Sequence, residues 1–240
     1  FFKAMEESRD MRILRFKVSY MADFHLGDAL CDQLRMCTNL KHVDLSSIHL
    51  AKGLKPSRKE WNSHMQDVMR TLQDCKELES LSIYVSKMSG INENIEGLIE
   101  LVPNLPNLKD LIFDIEPKDN EIDYELGKMF WQTVFQNNNN LRKLVVMFRF
   151  RNAEKLMSMF IPNIELMRDL ECFYTQFSSD KIDPEQILRL IKRIIKCCKF
   201  IEAIRLNFKL KAFLDEEMIL KFQQAFNKSR FLKYGLIEIQ

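Results

Sequence analysis

Cysteine and histidine are the residues of this sequence best suited to metal binding, and their spacing argues against a metal site. Six cysteines are present, but the adjacent pair Cys197-Cys198 lacks the C-x-x-C spacing of zinc ligands, and no second cluster supplies further ligands. The histidines lie near the start of the chain without H-x-x-x-H spacing, at His25, His42, His49 and His64. We therefore expect no metal and no cofactor.

The pair of side chains that could act in catalysis is His42 with Asp44. Alternate residues of a strand share a face, so the carboxylate could orient the imidazole. Such a pair is more often an ordinary surface contact. No G-x-S-x-G nucleophile motif, glycine-rich phosphate loop or G-x-G-x-x-G motif accompanies it. We expect no catalytic residues and no enzyme activity.

One short pattern, apolar-x-x-apolar-x-apolar, recurs eight times and determines where these residues lie. Its copies are about 31 residues apart, which suits one strand plus one connection. Residues three and five positions after the first apolar residue are mostly apolar and their neighbours are mixed, as in a strand with one buried face. The first, or leading, residues are Ile13, Leu40, Leu78, Leu108, Leu141, Leu170, Ile201 and Leu232.

The connections between these strands are expected to be helices, because strands about 25 residues apart need crossovers and pair in parallel. Three starts are marked, at Ser57–Glu60 by capping-box spacing, at Asp183-Pro184 and at Asp215. The apolar stripe after Asp215 is Met218, Ile219, Phe222 and Phe226. Weaker helices are expected near 23–36, 93–102, 122–136 and 153–167, with Pro162 kinking or shortening the last.

Three cysteines occupy one equivalent place in the pattern, three residues before a leading residue. They are Cys37, Cys75 and Cys198, while Leu105 and Ser229 fill the place elsewhere. The place belongs to the turn into the strand, where a small buried filler suffices. We expect these thiols to be buried, reduced and free of metal.

The pattern resembles the leucine-rich repeat family in its helix-containing, ribonuclease-inhibitor-like form, over nearly the whole chain. The resemblance implies an α/β solenoid, or horseshoe, with a parallel sheet on the concave face and helices on the convex face. We expect 1–240 to be a single domain of about eight irregular repeats and a fragment of a longer chain. Spacing varies from 27 to 38 residues, and the family's ninth-position Asn is replaced by Met21, Ile48, Ser86, Glu116, Arg149, Ser178 and Lys209.

The candidate binding residues alternate with the core positions of each strand. They lie two, four and six positions after the leading residue and would line the concave face. An apolar centre flanked by charge, typical of a protein-binding patch, is formed by Ile112, Val145, Met147 and Tyr174. The predicted protein-binding residues are His42, Asp44, Ser82, Tyr84, Asp110, Ile112, Asp114, Lys143, Val145, Met147, Tyr174, Gln176, Arg205, Asn207 and Tyr234.

A second candidate surface is the basic side of the helix after Asp183. It could bind phosphate or an acidic partner, but helix exteriors are commonly charged, and we favour a solvated face. The net charge of +2 provides no whole-molecule attraction to nucleic acid, and no RNA-binding motif is present. The residues of this basic patch are Arg189, Lys192, Arg193, Lys196 and Lys199.

Together these observations predict a non-enzymatic protein–protein interaction module. We expect an adaptor or a structural subunit of a large intracellular assembly, of cytoskeletal or ciliary type, located in the cytoplasm. No apolar run approaches the roughly 18 residues of a membrane span, so no membrane partner is expected. Two alternatives stay open: the substrate-receptor part of a ubiquitin ligase, and an RNA- or phosphate-binding solenoid that uses helix 187–199.

The ends of the pattern are a further expected contact region. An open solenoid exposes a strand edge and apolar surface at its ends unless something covers them. The last copy ends on a strand whose Ile237 and Ile239 are expected to face inward, and a short mixed segment precedes Ile13. We expect at least one end to abut another chain or an extension, and the isolated chain to self-associate.

Overall fold

The chain alternates between strands and helices along its described length. The computed structural model describes residues 11–18, 25–47, 66–88, 91–117, 122–147, 152–178, 182–209 and 214–239. These residues contain eight strands and seven α-helices. The chain divides into two compact units, 1–120 and 121–240, and each is an α/β arrangement in its own right.

The first unit has four parallel strands joined by helices. The strands pair in chain order, so each lies beside the strand that precedes it in sequence. A 3-10 turn, Val102–Asn104, follows its last helix. Its elements are β1 (Ile13–Val18), α1 (His25–Met36), β2 (His42–Ser47), α2 (66–72), β3 (Ser80–Met88), α3 (Ile91–Leu101) and β4 (Asp110–Pro117).

The second unit repeats this plan with four more parallel strands, again paired in chain order. A 3-10 turn, Ile164–Leu166, follows its second helix. Its elements are α4 (Tyr124–Asn137), β5 (Lys143–Met147), α5 (Ala153–Asn163), β6 (Cys172–Ser178), α6 (Pro184–Cys197), β7 (Ala203–Lys209), α7 (Glu216–Phe226) and β8 (Tyr234–Ile239).

Both units therefore belong to the α/β class predicted, with parallel strands and connecting helices. The horseshoe solenoid and the single domain over 1–240 stay predictions. Within the part of the chain that the structure describes, no helix has both the length and the apolar character needed to cross a membrane.

The strand register corrects the first copy of the sequence pattern. Ile13 pairs with His42, which stands two positions after the leading residue Leu40. The leading residue of the first copy is therefore Met11 rather than Ile13, and its distance to Leu40 is 29 residues instead of 27. The prediction was wrong because overlapping apolar triplets begin at both Met11 and Ile13. A shift of two residues leaves the same side chains facing outward.

The core of each unit is built from the positions three and five after the leading residue, as predicted. Eight such side chains are at most 1% exposed: Leu81, Ile83, Leu111, Phe113, Leu144, Val146, Ile204 and Leu206. In the second unit the helices add aromatic rings to this layer. The ring of Trp131 in α4 is 4.8 Å from that of Phe160 in α5, which is 5.4 Å from Phe173 in β6. Helices and strands therefore share one apolar layer within this unit.

The start of α6 follows the predicted capping signals. The Asp183 carboxylate accepts the backbone N–H of Glu185 at 3.0 Å, and the Asp183 N–H donates to the side chain of Gln186 at 3.3 Å. Pro184 occupies the first helical position, where its missing N–H costs nothing. The cap satisfies N–H groups that a helix start leaves unpaired, so the predicted start is confirmed.

The start of α7 is also confirmed, but its predicted apolar stripe is only partly buried. The Asp215 carboxylate accepts the N–H of Met218 at 2.7 Å. Phe222 is 5% exposed, whereas Ile219 is 44% exposed, so the inclusion of Ile219 in a core-facing stripe was wrong. No later helix packs on α7 among the described residues, which leaves that side of it in solvent.

The remaining predicted helices lie close to their expected positions at 25–36, 91–101, 124–137 and 153–163. Pro162 lies inside α5, and the 3-10 turn begins two residues later, so this helix is shortened as predicted. The capping-box residues Ser57–Glu60 lie outside the described residues, and α2 is seen only from residue 66.

Backbone hydrogen bonds at the start of each strand set the parallel register. The carbonyl one position after a leading residue accepts two N–H groups from the next strand. The Lys41 carbonyl accepts from Glu79 at 2.8 Å and from Ser80 at 2.9 Å. The same pair of hydrogen bonds recurs at the carbonyl oxygens of Arg12, Glu79, Arg142, Glu171 and Glu202. A one-residue slip of the strand register would break both hydrogen bonds. This pair of bonds therefore aligns each strand with the one before it.

Charged side chains at the same position form ion pairs between neighbouring strands. Glu79 lies between Lys41, at 2.9 Å, and Lys109, at 2.6 Å. Hydrogen bonds from Lys109 and Lys41, with the attraction of their charges, lower the pKa of Glu79 to about 2. The equivalent pairs of the second unit are Arg142–Glu171 and Lys233–Glu202. Surface ion pairs are individually weak, so their main effect is to favour this register over displaced ones.

A core substitution tests the burial pattern. Leu206→Ala should lower the free energy of unfolding by about 2–5 kcal/mol, because it leaves a cavity at a fully buried site. Leu220→Ala removes the same atoms from a side chain that is 52% exposed, and should cost roughly 1 kcal/mol or less. Urea denaturation followed by circular dichroism measures both variants. Equal losses of unfolding free energy in the two variants would show that the two sites do not differ in burial.

The ion pairs of Glu79 make stability depend on pH in a defined direction. Because its pKa is lowered from 4.5 to about 2 in the folded protein, its stabilising effect is present above pH 4.5 and is lost as the pH falls toward 2. The wild type should therefore lose more stability across this range than Glu79→Gln. Urea midpoints at several pH values measure the difference. Glu77→Gln, at an exposed site without an ion pair among the described residues, is the control and should follow the wild type.

Candidate protein-binding surfaces

The predicted protein-binding residues lie on the strand face opposite to the core, which we term the outward strand face. They occupy positions two, four and six after each leading residue. The paired register brings equivalent positions of neighbouring strands side by side. Because successive strand residues point to opposite faces, burial of the core positions directs these side chains outward. Each unit has its own outward strand face.

Tyr84 is central to the outward strand face of the first unit. It pairs in register with Asp114 of β4, and Asp44, Ser82 and Ile112 form the adjacent row. Tyr84 is half-buried, while Ser82 and Ile112 are 8% exposed. From β2 to β4, the described residues of this face include no lysine or arginine. The face therefore places a tyrosine ring among carboxylates, and the exposed Arg15 of β1 pairs in register with Asp44.

The surroundings of Tyr84 change its acidity. Burial raises the pKa of its hydroxyl, the carboxylates of Asp44 and Asp114 raise it further, and a hydrogen bond with Ser82 acts in the opposite direction. Asp44 also accepts a hydrogen bond from the hydroxyl of Ser46 at 3.2 Å. A cationic side chain of a partner could contact the ring face and the carboxylates together.

His42 and Asp44, the pair considered for catalysis, share the outward strand face without bonding to each other. His42 is exposed, and no hydrogen bond or ion pair joins it to Asp44 among the described residues. Across the same residues, no three His, Cys, Asp or Glu side chains converge where a metal ion could be held. The absence of enzyme activity and of a cofactor stays a prediction.

Two tyrosines and an arginine dominate the outward strand face of the second unit. Tyr174 of β6 pairs in register with Arg205 of β7, and Tyr234 of β8 is 45% exposed. Arg205 Nη2 donates to both carboxylate oxygens of Glu238, at 3.0 and 3.2 Å. Burial raises the pKa of Tyr174, and Cys172 and Tyr234 raise it further. Tyrosine and arginine are, with tryptophan, residue types enriched among binding hot spots.

The predicted apolar centre is less accessible than expected. Ile112 of the first unit and Val145 of the second are each 8% exposed. Met147 and Tyr174 of the second unit are half-buried. Accessible apolar surface on these faces therefore comes from tyrosine rings and from Ile13, which is 55% exposed and pairs in register with His42. The role of the four residues of the predicted apolar centre in binding stays a prediction.

Glu238 is a residue of this face that the sequence-based set lacks. Its carboxylate holds Arg205, which lies on the neighbouring strand and two positions nearer the strand start. The sequence signal for this contact was the opposite charge of Arg205 and Glu238 at diagonal positions on neighbouring strands. Diagonal neighbours are within reach of long side chains. The other predicted residues of the faces, Asp110, Lys143 and Gln176, are half-buried, and Asn207 is 8% exposed.

The turn cysteines are buried, as predicted. Cys37 and Cys75 are 1% exposed and Cys198 is fully buried. The thiol of Cys75 lies 3.9 Å from the carbonyl oxygen of Cys37, and that of Cys198 lies 3.2 Å from the carbonyl oxygen of Met167, in each case the same turn position one strand earlier. Burial raises the pKa of Cys75 to about 11 and of Cys198 to about 12. None of the six cysteines, all of them described, forms a disulfide.

The predicted basic patch lies along α6 and just beyond its end. Arg193 forms an ion pair with Glu165, and Arg189 Nε donates to the carbonyl oxygen of Glu185 at 3.3 Å. Three exposed members form no ion pair within the described ranges: Lys192, Lys196 and Lys199. Two of the five charges are therefore engaged within the protein, which leaves three lysines for solvent or a ligand.

The last strand, β8, is less covered than the strands before it. Ile237 is half-buried, whereas Leu206, its partner in register on β7, is fully buried. Nearby in sequence, Leu220 of α7 and Phe231 are each 52% exposed. The side chain of Ile239 lies outside the described residues. The expectation that another chain or segment covers an end stays a prediction.

Comparison with known proteins does not identify a family. No protein-family model matches the sequence, and no curated protein matches it. Among solved structures, the chain is similar to tryptophan synthase from M. tuberculosis, in an open form with BRD0059 bound. The match covers 99% of this chain and 86% of that chain at 9% identity, with a TM-score of 0.24. A TM-score this low supports no conclusion about fold or activity.

Proposed function

We propose that this chain is a leucine-rich repeat solenoid that acts as a non-enzymatic protein-interaction module. One observation carries the proposal: each outward strand face has half-buried or exposed tyrosines beside charged side chains, at Tyr84 in the first unit and at Tyr174 and Tyr234 in the second. Tyrosine contributes a large apolar contact and a polar tip at little cost in conformational entropy. Parallel strands paired in chain order and joined by helices support the repeat assignment.

The proposed role is that of an adaptor or a structural subunit of a large intracellular assembly, of cytoskeletal or ciliary type. The negative charge around Tyr84 and the mixed charge around Arg205 would favour different partner segments. A substrate-receptor part of a ubiquitin ligase would use the same surfaces. Phosphate or RNA binding would instead use the lysines of α6, and such binding would weaken steeply with added salt.

Comparative affinity capture tests the proposal. The tagged wild-type chain, Tyr84→Ala and Tyr234→Ala are used to capture proteins from a cell lysate, and the bound proteins are quantified by mass spectrometry. At least one protein enriched by the wild type should fall by about tenfold or more with a tyrosine variant, because a hot-spot side chain contributes ~1.4 kcal/mol or more.

The matched control is Met129→Ala, which changes a 51% exposed side chain on α4. It should capture the same proteins as the wild type. Partners retained by both tyrosine variants but lost with Met129→Ala would place binding on the helices and refute the proposed use of the outward strand faces. Capture that is abolished by moderate salt or by nuclease would favour the RNA alternative.

A further inference from the structure

Asn207, within β7, has a buried amide oxygen without a hydrogen-bond partner. The residue is 8% exposed, its Oδ1 atom is screened from solvent, and no donor within the described residues reaches it. It pairs in register with Gln176 and Glu238, so it belongs to the outward strand face rather than the core. An unsatisfied buried acceptor destabilises a folded protein. An apolar side chain at this position would avoid that loss.

Arg205, two residues earlier on β7, has an unsatisfied donor on the same face. Its Nη2 group pairs with Glu238, but its Nε–H is buried and has no acceptor in the part of the chain that the structure describes. Alternate residues of a strand share a face, with Cα atoms about 6.6 Å apart. One unsatisfied donor and one unsatisfied acceptor therefore belong to neighbouring residues of the same face.

An extended main chain offers the complementary pair of groups. One residue of a strand presents its N–H and its C=O on the same edge, as in the doubly bonded pairs of an antiparallel ladder. The N–H can donate to Asn207 Oδ1 while the C=O accepts from Arg205 Nε. We infer that this surface binds the main chain of an extended peptide segment of a partner protein. The inference deepens the proposed function, on which it rests.

The charges around the two atoms favour a neutral main-chain group over an anion. Glu238 already neutralises Arg205 through its bidentate contact, so a phosphate or carboxylate would be repelled by the neighbouring carboxylate. Both unsatisfied atoms are covered in the unbound protein. Binding therefore requires side chains of this face to shift, and those of Arg205 and Glu238 are 38% and 34% exposed.

Neighbouring side chains supply contacts to the side chains of the segment. Ala203 pairs in register with Cys172 and Tyr234, so a small residue adjoins an exposed aromatic ring. Tyr174 borders the same area from β6 and is half-buried. Main-chain bonds to Arg205 and Asn207 would give affinity for any extended segment, and contacts with the two tyrosines would select its sequence.

Stability and peptide binding, measured on the same variants, test this inference. Asn207→Leu should raise Tm by about 2–4 °C without ligand, because it removes an unsatisfied buried oxygen. Peptides selected from a random-sequence phage library on the wild-type chain should bind Asn207→Leu about tenfold more weakly. Arg205→Lys, which keeps a positive charge beside Glu238 but removes the Nε–H, should weaken the same peptides.

Thr175→Val is the matched control, because Thr175 has an unsatisfied buried hydroxyl on the core side of the adjacent strand. It should raise Tm and leave peptide binding unchanged. A lower Tm for Asn207→Leu, or unchanged peptide binding by it, would overturn the inference. Failure of the wild type to select any peptide would also overturn it, while partner capture through the tyrosines would still stand as an independent test of the proposed function.

Discussion

The double hydrogen bond at the start of each strand is the interaction on which the two units depend. One carbonyl, such as that of Lys41, accepts the N–H groups of two successive residues at the start of the next strand. Because both hydrogen bonds are made by backbone atoms, the accepting residue can be lysine, glutamate or arginine. It also makes each strand a template for the register of the next, so irregular spacing between strands need not disturb the alignment of their side chains.

The alignment of side chains on neighbouring strands affects both the stability of the fold and the surface available to a partner. Side chains three and five positions after the leading residue pack in an apolar layer, where Leu81 and Leu206 are completely buried. Those that alternate with them are brought together on the outward strand face, where Tyr84 lies between aspartates and Arg205 holds Glu238. The fold thus creates a surface from residues that are far apart in sequence, and that surface, rather than a pocket, is the basis of the proposed function.

Much of the local structure could be predicted because it depends on short-range patterns. The cap at Asp183, the buried turn cysteines and the core positions each follow from residue type and spacing within a few residues. The misassigned leading residue Ile13 arose where two overlapping patterns fit equally well, and only strand pairing could decide between them. Ile219 was misplaced because burial on a helix depends on what packs against it. The Arg205–Glu238 contact and the unsatisfied oxygen of Asn207 depend on tertiary geometry, which periodicity does not specify.

Amide hydrogen exchange, followed by NMR on the 1–240 chain, tests the central role of the strand-start bonds most directly. The amides of Glu79, Ser80, Glu202 and Ala203, which donate to the preceding strand, should exchange at least about a hundredfold more slowly than those of the exposed turn residues Thr38 and Asn39. Protection should recur at the start of every described strand that follows another within its unit. Exchange of these amides at the rate of the turn residues would contradict the account, because the register would then be held by something other than these bonds.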